Sequence, residues 1–192
     1  MNRNQFLKFT TPLPPSANHY LGKRIAYKGG RPYVQFYETK ETIEFKRNVK
    51  KVIRRALEEY KWVQTDALTH VKCEVIVYIP HKRRDADNVF KVLLDTINEN
   101  NVIADDCLIV PVVKNIFVDK DNPRVDVEMM IHDKVGVFKD EETYKKLIDN
   151  YCSSCSRFTQ NCSLLKKSRE NKIISEIDKD APLCFSYKPK KI

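Results

Sequence analysis

From Val71 to Ile79 the apolar residues Val71, Cys73, Val75, Val77 and Ile79 fall at every second position, the pattern of a strand with one buried face. Pro80 ends the run, and His81-Lys82-Arg83-Arg84 follows. From Ala86 to about Glu99 the spacing becomes helical, with Val89, Leu93 and Ile97 on one side. A half-buried strand passing through a charged loop into an amphipathic helix predicts an α+β fold, in which a small mixed sheet packs with two main helices.

The flanking sequence supplies the other elements. Phe6 to Thr11 reads as a strand stopped by Pro12-Leu13-Pro14-Pro15-Ser16, where proline removes ladder donors. Ile25-Ala26-Tyr27 and Pro32-Tyr33-Val34-Gln35-Phe36 read as a hairpin around Gly29-Gly30. Thr39 to about Tyr60 reads as a helix, with Phe45, Val49, Val52, Ile53, Ala56 and Leu57 on its apolar face. Thr39 fits an N-cap. Thr42 stands where a capping box needs Glu or Gln, so the box is incomplete. Asn100-Asn101 ends the second helix, because Asn accepts the left-handed conformation. Val112 to Val118 and Val125 to Ile131 read as strands joined by a turn at Asp119-Lys120-Asp121-Asn122-Pro123.

The chain has 192 residues, 42% hydrophobic and 32% charged. That suffices for a real core and excludes a disordered chain. No run approaches the roughly 18 apolar residues of a membrane span. No apolar stretch follows Met1-Asn2-Arg3-Asn4-Gln5 to serve as a secretion signal, so the expected location is the cytoplasm. Lys and Arg number 35 against 26 Asp and Glu, a net charge of +9. A surplus of that size points to a polyanionic partner, nucleic acid above all. Composition changes near His132-Asp133-Lys134, which divides the chain into a core over 1–133 and an appendage over 134–192. The appendage is expected to carry short helices at Glu141–Tyr151 and Lys166–Ile177 and a basic tail, Lys188-Pro189-Lys190-Lys191.

The segment after Pro80 carries the chemistry. Asp85 and Asp87 lie two apart between strand and helix, so in extended backbone both carboxylates face one point. Asp87, Lys91 and Asp95 are spaced by four and share a helix face. A chain reversal at Asn100-Asn101 returns Asp105-Asp106 toward the same end of the fold. Carboxylates converging beside a lysine suit Mg²⁺ bound to a phosphate, which activates water for in-line displacement while the lysine neutralises phosphate charge. A simpler reading stands beside this one. Asp85 or Asp87 caps the helix, Asp95 and Lys91 form a surface pair, and Asp105-Asp106 is a solvated turn.

Asp85-x-Asp87-Asn88-x-x-Lys91-x-x-x-Asp95, followed by an apolar residue and Asp105-Asp106, resembles the signature of the RusA family of Holliday junction resolvases. Pro14-Pro15-Ser16-x-Asn18 with Tyr20 resembles that family's opening loop, and the likeness covers roughly residues 6–132. It implies a Mg²⁺-dependent homodimeric endonuclease that cuts four-way DNA junctions by paired nicks in recombination and repair. Asp85, Asp87 and Asp106 would be the essential metal-site carboxylates and Lys91 the catalytic lysine. Asp105, Asn88 and Asp95 would take supporting roles.

Lys46, Arg47, Lys50, Lys51, Arg54 and Arg55 recur as adjacent pairs every four residues, a single-sign helical stripe suited to a phosphate backbone and otherwise an ordinary solvated face. Arg83 and Arg84 would add to it beside the acids. Tyr27, Tyr33 and Phe36 suit stacking on exposed bases, or packing in the core or a dimer. Of six cysteines, Cys73 and Cys107 read as buried hydrophobes. Cys152-x-x-Cys155 with Cys162 and Cys184 reads as a site for Zn²⁺, with an iron–sulfur cluster second and free thiols third. Two alternatives to the resolvase remain: a non-catalytic DNA-binding or regulatory module with a zinc site, and a flap or fork nuclease of the same fold.

Overall fold

The computed structural model describes residues 5–158 and 162–190; the opening Met1–Asn4, and Lys191 of the basic tail, lie outside them. The chain divides into two units, Met1–Thr65 with Val71–Met130, and Asp66–His70 with Ile131–Ile192.

The first unit is built on strand β1 (Phe6–Pro12), the hairpin β2 (Leu21–Lys28) and β3 (Arg31–Glu38), helix α1 (Lys40–Glu59), strand β4 (Thr69–Ile79) from Val71 onward, helix α2 (Phe90–Glu99), strand β5 (Ile109–Val118) and strand β6 (Arg124–Val135) as far as Met130. The sheet order is β1-β6-β4-β5. β1 runs antiparallel to β6, from Phe6 opposite Met130 to Pro12 opposite Arg124, and β4 runs parallel to β5 with a register shift between Val75 and Ile76. A parallel pair needs a crossover, and α2 is that crossover. The core combines Leu7 and Phe9 of β1, Val49 and Ile53 of α1, Val71, Val75 and Val77 of β4, Leu93 and Ile97 of α2, and Val125, Val127 and Met129 of β6, all buried. On the polar side chains of the sheet, Glu74 pairs with Lys72 and Lys114, and Glu128 with Lys114 and Lys8. The result is a mixed α+β unit.

Local chemistry explains most boundaries. The Thr39 hydroxyl accepts the Thr42 N–H at 3.3 Å and starts α1. β2 and β3 are longer than the sequence predicts, and Gly29 and Gly30 take φ of 57° and 77° in the two-residue loop that closes them. The stretch predicted as a helix from Ala86 begins as a 3₁₀ turn, Asp87–Val89, before α2. Asn101 takes φ 57° at the end of α2, as Asn permits.

The second unit has helix α3 (Glu141–Leu147), a π-turn over Ile148–Cys152, helix α4 (Ser163–Arg169), and the short strands β7 (Ile177–Asp178) and β8 (Leu183–Cys184). Two expectations are corrected here. The helix predicted over Glu141–Tyr151 leaves α geometry after Leu147. The helix predicted over Lys166–Ile177 ends at Arg169, because Asn171 turns left-handed at φ 60° and the Lys172 N–H bonds back to the Lys167 carbonyl at 3.0 Å. Gly136 takes φ +56° where a Cβ would meet the Ser168 carbonyl and approach Arg169 Cα at 2.6 Å. Val137, Phe138, Leu147, Cys152 and Ile177 form this unit's buried cluster.

Candidate active site

The acidic loop is held from both ends. β4 stops at Ile79, whose carbonyl accepts the Asp119 N–H at 2.8 Å, and the Arg84 N–H closes a turn on the His81 carbonyl at 3.1 Å. The Arg84 guanidinium donates to the Pro14 carbonyl at 2.7 Å, and the Ala17 N–H donates to the Asn88 carbonyl at 3.2 Å. The proline-rich opening loop is therefore fastened directly to the segment bearing Asp85 and Asp87. Sequence reading misses this clamp. The signal was available, since a run of prolines leaves carbonyls that need donors from elsewhere in the chain.

Asp85 and Asp87 are exposed, Asp87 as the first residue of the 3₁₀ turn. Neither caps a helix. Ala86 holds the cap position of that turn and Val89 that of α2, both without a side-chain cap. Among the described residues neither carboxylate has a hydrogen bond or ion pair. The capping explanation for these two residues is thereby removed.

The other acids are committed. Asp95, half-buried, accepts from Lys91 Nζ at 2.7 Å one helical turn away. That hydrogen bond holds the Lys91 ammonium above its ordinary 10.5, and the negative fields of Asp95, Tyr20 and Asp106 add to it. Lys91 thus stands among Asp95, Asp106 and Tyr20. Asp105 caps the 3₁₀ turn Asp106–Leu108, accepting the Cys107 N–H at 3.0 Å. That bond, chiefly, holds its carboxyl below the ordinary carboxylate range. Asp106 opens the same turn and is half-buried. Asn88 is half-buried, with its carbonyl taken by Ala17.

Two basic residues depart from their predicted part. The Lys46 side chain is only 16% exposed, bridging Glu99 at 2.6 Å and Glu38. It is internal to an ion-pair cluster, so it is not part of an open stripe. Arg84 is half-buried on Pro14. Arg47, Lys50, Lys51, Arg54 and Arg55 are exposed along α1, as is Arg83 in the loop, and none is ion-paired among the described residues. In the hairpin Tyr27, Tyr33 and Phe36 are all exposed, which excludes core packing within this chain, and Lys23 lies 5.7 Å from the Phe36 ring centre.

Cys73 is buried as expected, its thiol pushed up to about 12 by that burial. Cys107 is exposed, contrary to expectation, because the turn capped by Asp105 turns it outward to hydrogen-bond that carboxylate. Cys152, Cys155, Cys162 and Cys184 are free thiols. Among the described residues no group of three or more His, Cys, Asp or Glu is arranged to hold a metal ion. The expected metal-bound appendage is thus not assembled there: Cys162 stands at the cap position of α4, and Cys184 pairs in register with Ile177. The same holds for Asp85, Asp87 and Asp106, which are not arranged as a ready metal group, although carboxylate oxygens are the donor type a hard divalent cation takes.

The α+β sheet scaffold thus carries two uncommitted aspartates, a lysine tethered to a third and an unpaired basic helix face. The family model for endodeoxyribonuclease RusA matches residues 12–130, and the chain belongs to that family. It is an endodeoxyribonuclease, hydrolysing DNA phosphodiester bonds; membership implies Holliday-junction-resolving activity on branched DNA, in a family generally dependent on a divalent metal. No curated protein matches the chain. No helix among the described residues is long and apolar enough to cross a membrane.

Proposed function

We propose that this chain is a Mg²⁺-dependent, homodimeric resolvase that cuts four-way DNA junctions by paired nicks, in recombination and repair in the cytoplasm. The carrying observation is that Asp85 and Asp87 are presented by a clamped loop and committed to nothing else in their surroundings. Asp85, Asp87 and Asp106 would hold Mg²⁺, which when bound supplies an activated water and charge stabilisation. Lys91, kept protonated by Asp95 and positioned near Asp106, neutralises charge on the phosphate under attack. Asp105 fixes the turn that aims Asp106, and Asn88 fixes the opening loop through Ala17. Arg83, Arg47, Lys50, Lys51, Arg54 and Arg55 bind backbone phosphates, so recognition is of shape and charge, with little base reading. Exposed Tyr27, Tyr33 and Phe36 suit stacking at the branch point.

The test is cleavage of a labelled synthetic four-way junction beside a linear duplex of the same sequence, in Mg²⁺ and in EDTA. Symmetric nicks confined to the junction and dependent on Mg²⁺ are expected. Equal cutting of duplex and junction, or preferential cutting of a flap or fork, would contradict the junction assignment.

A further inference from the structure

The hairpin β2–β3 takes no part in the four-stranded sheet. Its strands, eight residues each, pair with one another and with no other strand, and a lone two-stranded hairpin is marginally stable in water. Ile25, Tyr27, Tyr33, Val34, Phe36 and Tyr37 are all exposed on it. So little burial gives the hairpin no packing task within the chain.

The register sorts its side chains onto two unlike faces, because residues directly opposite one another share a face. Lys23 with Phe36, Ile25 with Val34 and Tyr27 with Pro32 make one side, mainly apolar. Gly22 with Tyr37, Arg24 with Gln35, Ala26 with Tyr33 and Lys28 with Arg31 make the other, and no Asp or Glu stands anywhere from Leu21 to Tyr37. Lys28 and Arg31 face each other at the exposed tip, and neither is ion-paired among the described residues. Like charges placed directly opposite are destabilising, so the tip carries a repulsive pair that awaits an anion. Nearer the root the same face is ordered. Arg24 Nε donates to Gln35 Oε1 at 2.8 Å, and the guanidinium lies 5.7 Å from the Tyr37 ring centre. The Tyr37 ring lies across Gly22, in space that a Cβ there would take.

The root joins this face to the nuclease site. Tyr20 immediately precedes β2, and its carbonyl accepts the Thr39 N–H at 3.1 Å and the Thr42 hydroxyl at 3.0 Å, at the start of α1. Three residues before Tyr20, the Ala17 N–H donates to the Asn88 carbonyl of the acidic loop at 3.2 Å. The hairpin is therefore rooted between the acidic loop and the basic helix, and strands of this length give it a reach of about 25 Å.

We propose that the face formed by Arg24, Lys28 and Arg31 with Tyr33 and Tyr37 is a DNA-binding arm that grips the backbone of the duplex leading away from the cut site. Charge selects the occupant. Closely spaced phosphates neutralise the Lys28–Arg31 pair, and the chain belongs to a family that acts on DNA. The tyrosine hydroxyls add donors for phosphate oxygens, and a two-stranded ribbon fits a major groove about 12 Å wide. The inference rests on action on DNA, and not on the choice of branched DNA.

Lys28→Glu/Arg31→Glu is compared with wild type and with Ile25→Thr/Val34→Thr, which alters the opposite face. Binding of each full chain to a labelled linear duplex and to a four-way junction is titrated against salt in EDTA. The charge reversal should weaken binding to both substrates at least about tenfold and reduce the slope of log affinity against log salt by about 2, and hydroxyl-radical protection should retreat from the outer part of the bound duplex. The opposite-face variant should keep the wild-type slope. Should the double reversal fail to fold, Lys28→Gln and Arg31→Gln decide singly, each lowering the slope by about 1. An unchanged slope would overturn the proposal. So would a change of oligomeric mass in place of a change in slope, since the face would then belong to another copy of the chain. Wild type that binds and cuts duplex as well as junction would remove the junction reading, while the slopes on duplex still decide this one.

Discussion

The two units of the chain use their chemically active side chains in opposite ways. In the first, sheet and helices close a large apolar core, and Asp85 and Asp87 are left outside it with no structural task. In the second, the core is small and a cysteine is one of its members. Polar groups on a well-packed scaffold are free to be chosen for chemistry. Reactive groups built into a sparse core are bound up with stability. Changes at the first site should therefore alter activity without altering folding, and changes in the second unit should do the reverse.

The largest functional effect falls on Lys91. Lys91→Ala removes a charge placed among Asp95, Asp106 and Tyr20 and should lower single-turnover junction cleavage about 10²–10³-fold. An exposed i,i+4 pair is worth at most about 1 kcal/mol, so urea unfolding should hardly move. A matching loss of stability and activity would erase the contrast between the units.

Next is a change in the second unit. Gly136→Ala forces a Cβ against Ser168 and Arg169 at a positive φ, which should cost about 1–3 kcal/mol or more. Hydrogen exchange should quicken around Phe138, Leu147 and Ser168, while amides of β4 and β6 up to Met129 keep their protection.

Smaller is the basic face. Alanine at Lys50 or Arg54 should weaken junction binding uniformly across sequences and reduce the slope of log affinity against log salt by about 1. Lys46→Ala should leave the slope unchanged and lower stability instead, since Lys46 is bound to Glu38 and Glu99. Titrating binding against salt for the three variants separates the two behaviours.

The smallest effect is a pH dependence in the second unit. His70 is buried with both ring nitrogens lacking hydrogen-bond partners among the described residues. Burial, then the charges of Lys134 and His132, push its pKa below the ordinary 6.5. The unfolded chain therefore takes up the proton first. The contribution of neutral His70 is fully present above 6.5 and is lost as pH falls from there through the folded-state value. Stability of this unit should decline over that range, and His70→Leu should flatten the decline.

Sequence was most informative where a pattern is local. The alternation of β4, the Thr39 cap, the Gly29-Gly30 hairpin and the Asn100-Asn101 stop all depend on neighbours along the chain. It failed where a partner is distant. Lys46 sits in the right helical phase for the stripe, yet it meets Glu99, 53 positions away. Arg84 stands in a basic run, but its partner is a carbonyl 70 positions back. The spacing of four between Lys91 and Asp95 allows a surface pair, and the fold forms it, while the Asp85 carboxylate is left without a partner. The Lys166–Ile177 stretch is rich in charge but lacks an apolar period to carry a helix past Arg169.

The most direct test of the central claim is Asp87→Asn, measured for stability, junction binding and junction cleavage on one preparation. Asp87 has no partner to lose, so unfolding free energy should stay within about 0.5 kcal/mol of wild type. Binding in Ca²⁺ should persist, and cleavage in Mg²⁺ should fall at least about a hundredfold. Full cleavage by the variant would contradict the account, since Asp87 would then be an idle surface charge beside a site located elsewhere.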